Sequence, residues 1–341
     1  MLPENKINEL RELLEKTQNP LFFFDNDSDG LCSFIILRRA LNKGKGVPIK
    51  SYPDLSEKYI KKVQELNPDS VIILDKADVN NKFIEYMVQQ NIPIIWIDHH
   101  KSNTPEEYIS KTHYFNTYPD AEPVTYVAQK IYNRNQDMFF AMIGCIFDVY
   151  SPDFAKDFEK QYPELFNSKL DAFDALHLTE IGKFSLMLNF GLMNTTTNVV
   201  KLIRYLEKIN SPYDLLEENY HTKEFHKRYN ELNKELNKLI NKAKAKNREN
   251  NIIFFCYEGQ NSMSGLLANK LYFMNKDKLV IVAYKKPDKI NLSIRGENAL
   301  EFTKKMLKQI EGSSGGGHKN ATGAMIPITQ YEELLKIIDK N

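Results

Sequence analysis

Three short apolar runs, at residues 21–24, 71–74 and 92–97, each stop at a carboxylate: Asp25, Asp75 and Asp98. Short apolar runs with polar boundaries read as strands buried on both faces. Stretches of helical periodicity, at 31–41 and 80–90, fill the gaps between them. Strands alternating with helices predict an α/β chain with a mainly parallel sheet and right-handed crossovers. The carboxyl ends of parallel strands share one edge, and α/β proteins place ligand sites there. The pattern therefore sets acidic groups along one rim, and a further apolar stretch, 138–147, ends at Asp148 and adds to it. Helices are also expected at 5–17, with Ile7, Leu10, Leu13 and Leu14 on one face, and at about 123–134.

The first run leads into Asp25-Asn26-Asp27-Ser28-Asp29-Gly30, carboxylates at alternate positions closed by a glycine. Their mutual repulsion is unfavourable unless a cation sits among them, and a divalent metal is the usual one. An EF-hand loop opens with the same spacing, but it needs a Glu at its twelfth position and an entering helix; here Ile36 stands there and a strand enters. An Asp-rich turn without metal is the plain alternative, and the other acidic groups on the rim weigh against it. Asp98 is followed by His99 and His100. Neighbouring side chains diverge at a strand end, so one imidazole can ligate metal while the other meets substrate. His113, His177, His221 and His226 read as ordinary imidazoles.

At 341 residues the chain has room for about two domains. With 42% hydrophobic and 27% charged residues it reads as a soluble globular protein. No apolar run approaches the roughly 18 residues of a membrane span, and the charged, amphipathic N-terminus has no signal-peptide character. Cys32, Cys145 and Cys256 are isolated, which argues against a Cys-based zinc site and a disulfide framework and fits a reducing cytoplasm. Charge is split along the chain. Residues 1–150 carry 17 Lys and Arg against 21 Asp and Glu, whereas 219–248 carry 9 against 3 and 251–341 carry 13 against 9. An acidic half beside a basic half suits a metal end and a polyanion-gripping end; a helix solvated by its charges explains 219–248 equally well.

Residues 153–210 read as helical, with Leu186, Phe190 and Met193 as core and no visible chemistry. One long helix is expected over 215–248, with Leu232, Leu236, Leu239 and Ile240 on a face and a Lys/Arg/Asn-rich end that marks a domain boundary. Beyond it come strands at 252–257, 279–284 and 290–295 and helices at 264–274 and 299–310. The stretch Gly312-Ser313-Ser314-Gly315-Gly316-Gly317-His318 fails the P-loop pattern, because His318 stands where Lys is required and Lys319 is one residue late. The glycines let backbone N–H groups approach a phosphate, so the stretch is read as a binding loop rather than a linker. Arg295, after a strand, is a candidate fork for a phosphate or a terminal carboxylate.

Taken together, the alternating carboxylates after a strand, Asp75, Asp98-His99-His100, Asp148 and the Gly-Gly-Gly-His stretch resemble the DHH/DHHA1 phosphoesterases, the RecJ-like exonuclease and nanoRNase group. The resemblance covers nearly the whole chain in order. It implies a DHH catalytic domain over 1–210, a connecting helix or linker over 211–248, and a smaller α/β DHHA1 substrate-binding domain over 249–341, with the active site in the cleft between domains. It also implies two Mn2+ ions, with Mg2+ as the alternative. Asp27 and Asp75 hold one, with Asp25 as an extra ligand; Asp29, Asp75, His99 and Asp148 hold the other, and Asp75 bridges. His100 contacts the scissile phosphate and Asp98 supports the histidines. Arg295, Gly315, Gly316, Gly317 and His318 grip the substrate. One departure stands out: many members place a His four residues before the second Asp, and here that residue is Phe23.

The activity implied is that of a two-metal phosphodiesterase, a hydrolase acting on ester bonds with no side-chain nucleophile. Two ions about 3.5–4 Å apart activate water for in-line attack on phosphorus. The leading substrates are single-stranded RNA or DNA, or short oligonucleotides, cut to nucleoside monophosphates. A small-nucleotide (pAp) phosphatase or a cyclic-dinucleotide phosphodiesterase is the alternative. A non-catalytic replication scaffold is the alternative of another class, and the surviving carboxylates disfavour it. Pyrophosphatases share the DHH half, but their C-terminal SRK-type motif is not visible in this sequence and the Gly-Gly-Gly-His stretch takes its place. A monomer or homodimer, away from membranes, is expected.

Overall fold

The computed structural model describes residues 2–51, 53–246 and 251–339. The chain divides into two compact units, Met1–Tyr229 and Asn230–Asn341. In the first, the strands are β1 (Pro20–Asp25), β2 (Lys45–Ile49), β3 (Asp54–Leu55), β4 (Ser70–Leu74), β5 (Asp78–Val79), β6 (Ile94–Asp98) and β7 (His113–Asn116). Five of them form a sheet in the order β2-β1-β4-β6-β7, parallel throughout, while β3 and β5 pair as a separate ribbon. The parallel sheet flanked by helices is the architecture read from the apolar runs.

Alternation along each strand divides the apolar residues between two cores. Phe22, Phe24, Ile72, Leu74, Ile95 and Ile97 pack with the helices Ser28–Leu41, Val124–Tyr132, Met138–Phe147 and Glu180–Leu192. Leu21, Phe23, Val71, Ile73, Ile94 and Trp96 pack on the other face with Val63, Phe83, Ile84 and Met87. Burying one such phenyl ring contributes roughly 1.5–3 kcal/mol. With every strand of the sheet parallel, the carboxyl ends of β1, β4 and β6 come to one edge and bring Asp25, Asp75 and Asp98 with them.

Several boundaries differ from expectation. The helix after β1 begins at Ser28 rather than 31, because Asp27 caps it and accepts the Gly30 N–H at 3.0 Å. The second half of the acidic stretch is thus a first helical turn. Strands β2 and β7 are the polar edges of the sheet; Pro48 sits within β2, where an edge strand tolerates it. In the helix Glu180–Leu192 the buried stripe runs through Phe184, Met187 and Leu188 as well as Phe190, and Leu186 and Met193 are only half-buried.

The long helix starts at Lys223, not 215. Ahead of it Asn219 and Thr222 close a local turn: the Asn219 side chain accepts from the His221 N–H at 2.9 Å and the Asn219 N–H donates to Thr222 Oγ1 at 2.8 Å. Such side-chain bonds compete with helix formation. Leu232, Leu236, Leu239 and Ile240 are buried along the helix, and residues 247 and 248 of the expected linker lie outside the described residues. No described helix is long and apolar enough to cross a membrane.

The second unit holds β8 (Ile252–Tyr257), β9 (Leu279–Lys285), β10 (Lys289–Arg295), β11 (Ser314–His318) and β12 (Ala321–Pro327), in the order β11-β12-β10-β9-β8. Only the β8–β9 pair is parallel. Ile281, Ile290, Leu292 and Ile294 pack against Phe302 and Met306 of the helix Ala299–Gln309 and Leu334 and Ile337 of the helix Tyr331–Asp339. The glycine-rich stretch is a correction to the loop reading: Gly315, Gly316, Gly317 and His318 form edge strand β11, paired with β12. Absent side chains allow this close pairing, since a Cβ at Gly315 would sit 2.7 Å from the Ala324 Cα.

Candidate metal centre

Each acidic group of the rim is placed by a backbone feature. Asp25 is the last residue of β1. The helix start at Gly30 packs directly on it, so that a Cβ on Gly30 would collide with the Asp25 carbonyl oxygen and lie 2.7 Å from its nitrogen. Asp29, in the first helical turn, is clamped from a distant segment: its two carboxylate oxygens accept the Val124 and Thr125 N–H groups, each at 2.9 Å. Those are the free donors at the start of the helix Val124–Tyr132, a natural anion seat. Asp75 follows β4 in a left-handed conformation, φ +58°, which Asp tolerates better than most residues. Asp148 terminates the helix Met138–Phe147.

Around Asp75 three groups of ligand atoms converge, each within 4.8 Å: Asp29, Asp75, His99 and Asp148; Asp75, His99 and His100; and Asp25, Asp27 and Asp75. His99 Nε2 stands 3.2 Å from Asp75 Oδ1 and 3.4 Å from Asp148 Oδ2, while its Nδ1 faces the Ala121 carbonyl at 3.4 Å. That leaves the Nε2 edge for the carboxylates, the arrangement metal-ligating histidines use. Asp75 Oδ1 and His99 Nε2 are both buried without a hydrogen-bond partner among the described residues. Two orphaned buried atoms of opposite preference, flanked by Asp29 and Asp148, fit a divalent ion between them. Oxygen donors with one imidazole suit Mn2+ or Mg2+.

The electrostatics agree. Burial, then the charges of Asp75 and its neighbours, pushes Asp27 and Asp29 well above the usual carboxylate range. Burial raises Asp148 to about 6 against the pull of His99. Burial also opposes a charged His99, but Asp75, Asp148 and Asp29 hold its pKa well above the usual value. For Asp75 burial works upward and is outweighed by His99 and His100, so its carboxyl is held below the ordinary value.

Asp98 plays a narrower part than supporting both histidines. Fully buried, it accepts from the His100 backbone N–H at 3.1 Å and lies 2.9 Å from His100 Nδ1, with Asn116 Nδ2 at 3.4 Å; none of these bonds reaches His99. In the second unit Arg295 is largely engaged: Nε donates to Asn269 Oδ1 at 2.5 Å and Nη1 to the Ile294 and Thr322 carbonyls at 2.9 and 3.2 Å. Gly315, Gly316, Gly317 and His318 are exposed on β11. A cavity of about 820 Å3, lined in part by Lys201, Arg204, Lys208 and Lys223, shares no residue with the acidic centre.

Two features of the centre escaped the sequence reading. One is the Val124–Thr125 clamp, signalled only by Pro123 ahead of a helix. The other is Lys76, immediately after Asp75, whose buried amino group donates to Asp25 Oδ1 at 3.1 Å and to the Ser51 carbonyl at 3.2 Å. Phe23 contributes nothing to the centre, its ring being locked edge-on against Tyr59 and Phe83.

Residues 21–161 match the family model of the DHH family, N-terminal domain, and residues 249–341 match that of the DHHA1 domain. No curated protein matches. Among the solved structures that resemble the fold, three cover 99% of this chain at TM-scores above 0.6. They are RecJ from Thermus thermophilus in complex with Mn2+ (16% identity, TM-score 0.67), a DHH-domain member of the s1p family of ribosomal proteins (14%, 0.71) and an exonuclease RecJ bound to manganese (17%, 0.61). The chain spans 55% of the Thermus RecJ, and 90% and 94% of the other two.

Proposed function

We propose that this chain, which belongs to the DHH family and carries a DHHA1 domain, is a metal-dependent phosphodiesterase. Its substrates are single-stranded RNA or DNA or short oligonucleotides, which it cuts to nucleoside monophosphates in the manner of a RecJ-like exonuclease. One observation carries the reading: Asp75 Oδ1 and His99 Nε2, buried and without hydrogen-bond partners among the described residues, face each other at 3.2 Å between Asp29 and Asp148. Crowded acids with an orphaned imidazole have no packing purpose that an apolar core would not serve better. Mn2+ is the preferred ion, Mg2+ the alternative; two RecJ structures of this fold contain manganese.

A divalent ion held there supplies Lewis acidity and brings water to reactivity near neutral pH. The protein's own part is placement and charge. The Val124 and Thr125 N–H groups fix the Asp29 carboxylate, and the Ala121 carbonyl turns His99 so that Nε2 meets the acids. Burial opposes a charged His100, but the Asp98 bond outweighs it and raises the His100 pKa, so the imidazolium persists to higher pH. Its side chain is 40% exposed, and with Nδ1 held by Asp98 the Nε2 edge remains for a phosphoryl oxygen. An imidazolium there neutralises charge that develops during attack on phosphorus. Arg295, the β11 glycines and His318 are assigned to the substrate's phosphates or chain end, with the division 1–210, 211–248 and 249–341 as the functional one.

Incubation with Mn2+ and 5′- or 3′-labelled RNA and DNA, from dinucleotides to a 20-mer, tests this. Stepwise release of monophosphates across the series is expected. Activity confined to two or three nucleotides would replace the exonuclease reading with that of a small-nucleotide phosphodiesterase.

A further inference from the structure

The Asp25, Asp27 and Asp75 group is built differently from its four-ligand neighbour. It already contains a cation. Lys76 Nζ lies 3.1 Å from Asp25 Oδ1 and 3.2 Å from the Ser51 carbonyl, and the lysine side chain is only 6% exposed. Its backbone is pinned as well, because the buried Trp96 indole donates to the Lys76 carbonyl at 2.8 Å. On the other side of the balance, Phe23 offers no ligand atom and cannot swing in, being fully buried between Tyr59 and Phe83. Asp25 is therefore paired with a lysine within the protein, whereas Asp75 Oδ1 and His99 Nε2 face only each other and the titratable groups around them, with no hydrogen-bond partner among the described residues.

We propose that Lys76 takes the place of the second metal ion, so that the centre holds one divalent ion, at Asp29, Asp75, His99 and Asp148, beside a fixed ammonium. The inference rests on the metal-dependent reading above. A dication entering among Asp25, Asp27 and Asp75 would meet a like charge close by, and to displace it would have to break an ion pair whose lysine is buried and whose Asp25 side chain is 33% exposed. The ammonium offsets part of the carboxylate repulsion, so the acidic cluster is less dependent on metal to fold. It carries one charge instead of two and has no open coordination position, so water activation falls to the single ion. Lys76 is in this sense a positioning residue, acting through Asp25 on the shape and charge of the centre.

Chelator-stripped full-length protein titrated with MnCl2 decides the matter, read by calorimetry, by bound manganese per chain after dialysis, and by electron paramagnetic resonance. One ion per chain with the six-line spectrum of an isolated Mn2+ is expected, and Asp25→Asn should leave that number unchanged. Lys76→Met should admit a second ion and replace the six-line signal with that of a coupled pair. Lys76→Gln, which keeps a donor toward Asp25 without the charge, gives the same readout if the Met variant does not fold. Two ions on the unaltered protein would overturn the inference and leave the metal-dependent reading standing. No bound ion would overturn both. A single ion in folded Lys76→Met or Lys76→Gln would remove Lys76 from the explanation.

Discussion

Asp98 holds His100 at two points, accepting the backbone N–H at 3.1 Å and lying 2.9 Å from Nδ1. Burial depresses the imidazolium and this carboxylate restores it. In Asp98→Asn the second effect is lost, so the His100 pKa falls and the protonated population shrinks at neutral pH. The expected outcome is a loss of kcat of about 10- to 100-fold, the usual cost of removing a supporting group, with the alkaline limb of the pH–rate profile moved to lower pH. An unshifted profile would show that Asp98 only anchors the backbone.

Asp75 lies in all three groups of ligand atoms. Asp75→Asn keeps the volume and removes the charge that each group shares. Manganese binding by calorimetry should be lost, with activity falling by more than the roughly 100-fold typical of outer groups. Circular dichroism should stay unchanged, since Asp75 follows a strand held by the buried apolar side chains of Val71, Ile72, Ile73 and Leu74. Full activity in this variant would contradict the metal reading.

The rim was legible in the sequence because a parallel strand buried on both faces has a clean apolar run, and the first polar residue after it lies at the sheet edge. Asp25, Asp75 and Asp98 announce themselves this way. Edge strands β2 and β7 do not, for their polar residues and Pro48 erase the run. Nor does the clamp on Asp29, which joins residues 95 and 96 positions apart through backbone N–H groups that carry no side-chain signature. Lys76 was visible as a residue but not as a partner, since its pairing with Asp25 depends on β1 and β4 being neighbours. The glycines at 315–317 permit both a loop and a closely paired strand, and the register with Ala324 and Gly323 selects the strand.

Gly30 ties the fold to the centre. A methyl group there would collide with the Asp25 carbonyl oxygen, a backbone atom that side-chain motion cannot relieve. Gly30→Ala should lower stability by about 1–3 kcal/mol, the range for overpacking, and weaken manganese binding by moving Asp25 and the helix start apart. Chemical denaturation and calorimetry on the same preparation would check both. A variant with the original midpoint and affinity would mean that the two segments separate at no cost.

Stability should depend on pH in opposite senses with and without metal. Asp148 is raised to about 6 in the folded chain, above an unfolded value near 3.9, so the folded state binds the extra proton between those limits. That term stabilises the metal-free protein as pH falls from above 6 toward 4, by at most about 3 kcal/mol at 1.36 kcal/mol per unit. His99, also raised, acts in the same sense: its contribution is complete below its unfolded pKa and disappears as pH rises through the folded one. Asp75 is lowered, and its contribution is lost only on acidification through its own folded value, below this window. Metal-free protein should therefore melt at a higher temperature at pH 5.5 than at pH 8. Manganese needs the carboxylates ionised and Nε2 free, so protons compete with it and its stabilisation grows with pH. Thermal unfolding at pH 5.5, 7 and 8, with EDTA or with excess Mn2+, should show the two curves close together at pH 5.5 and well separated at pH 8. Parallel curves would mean that these acids do not exchange protons for metal.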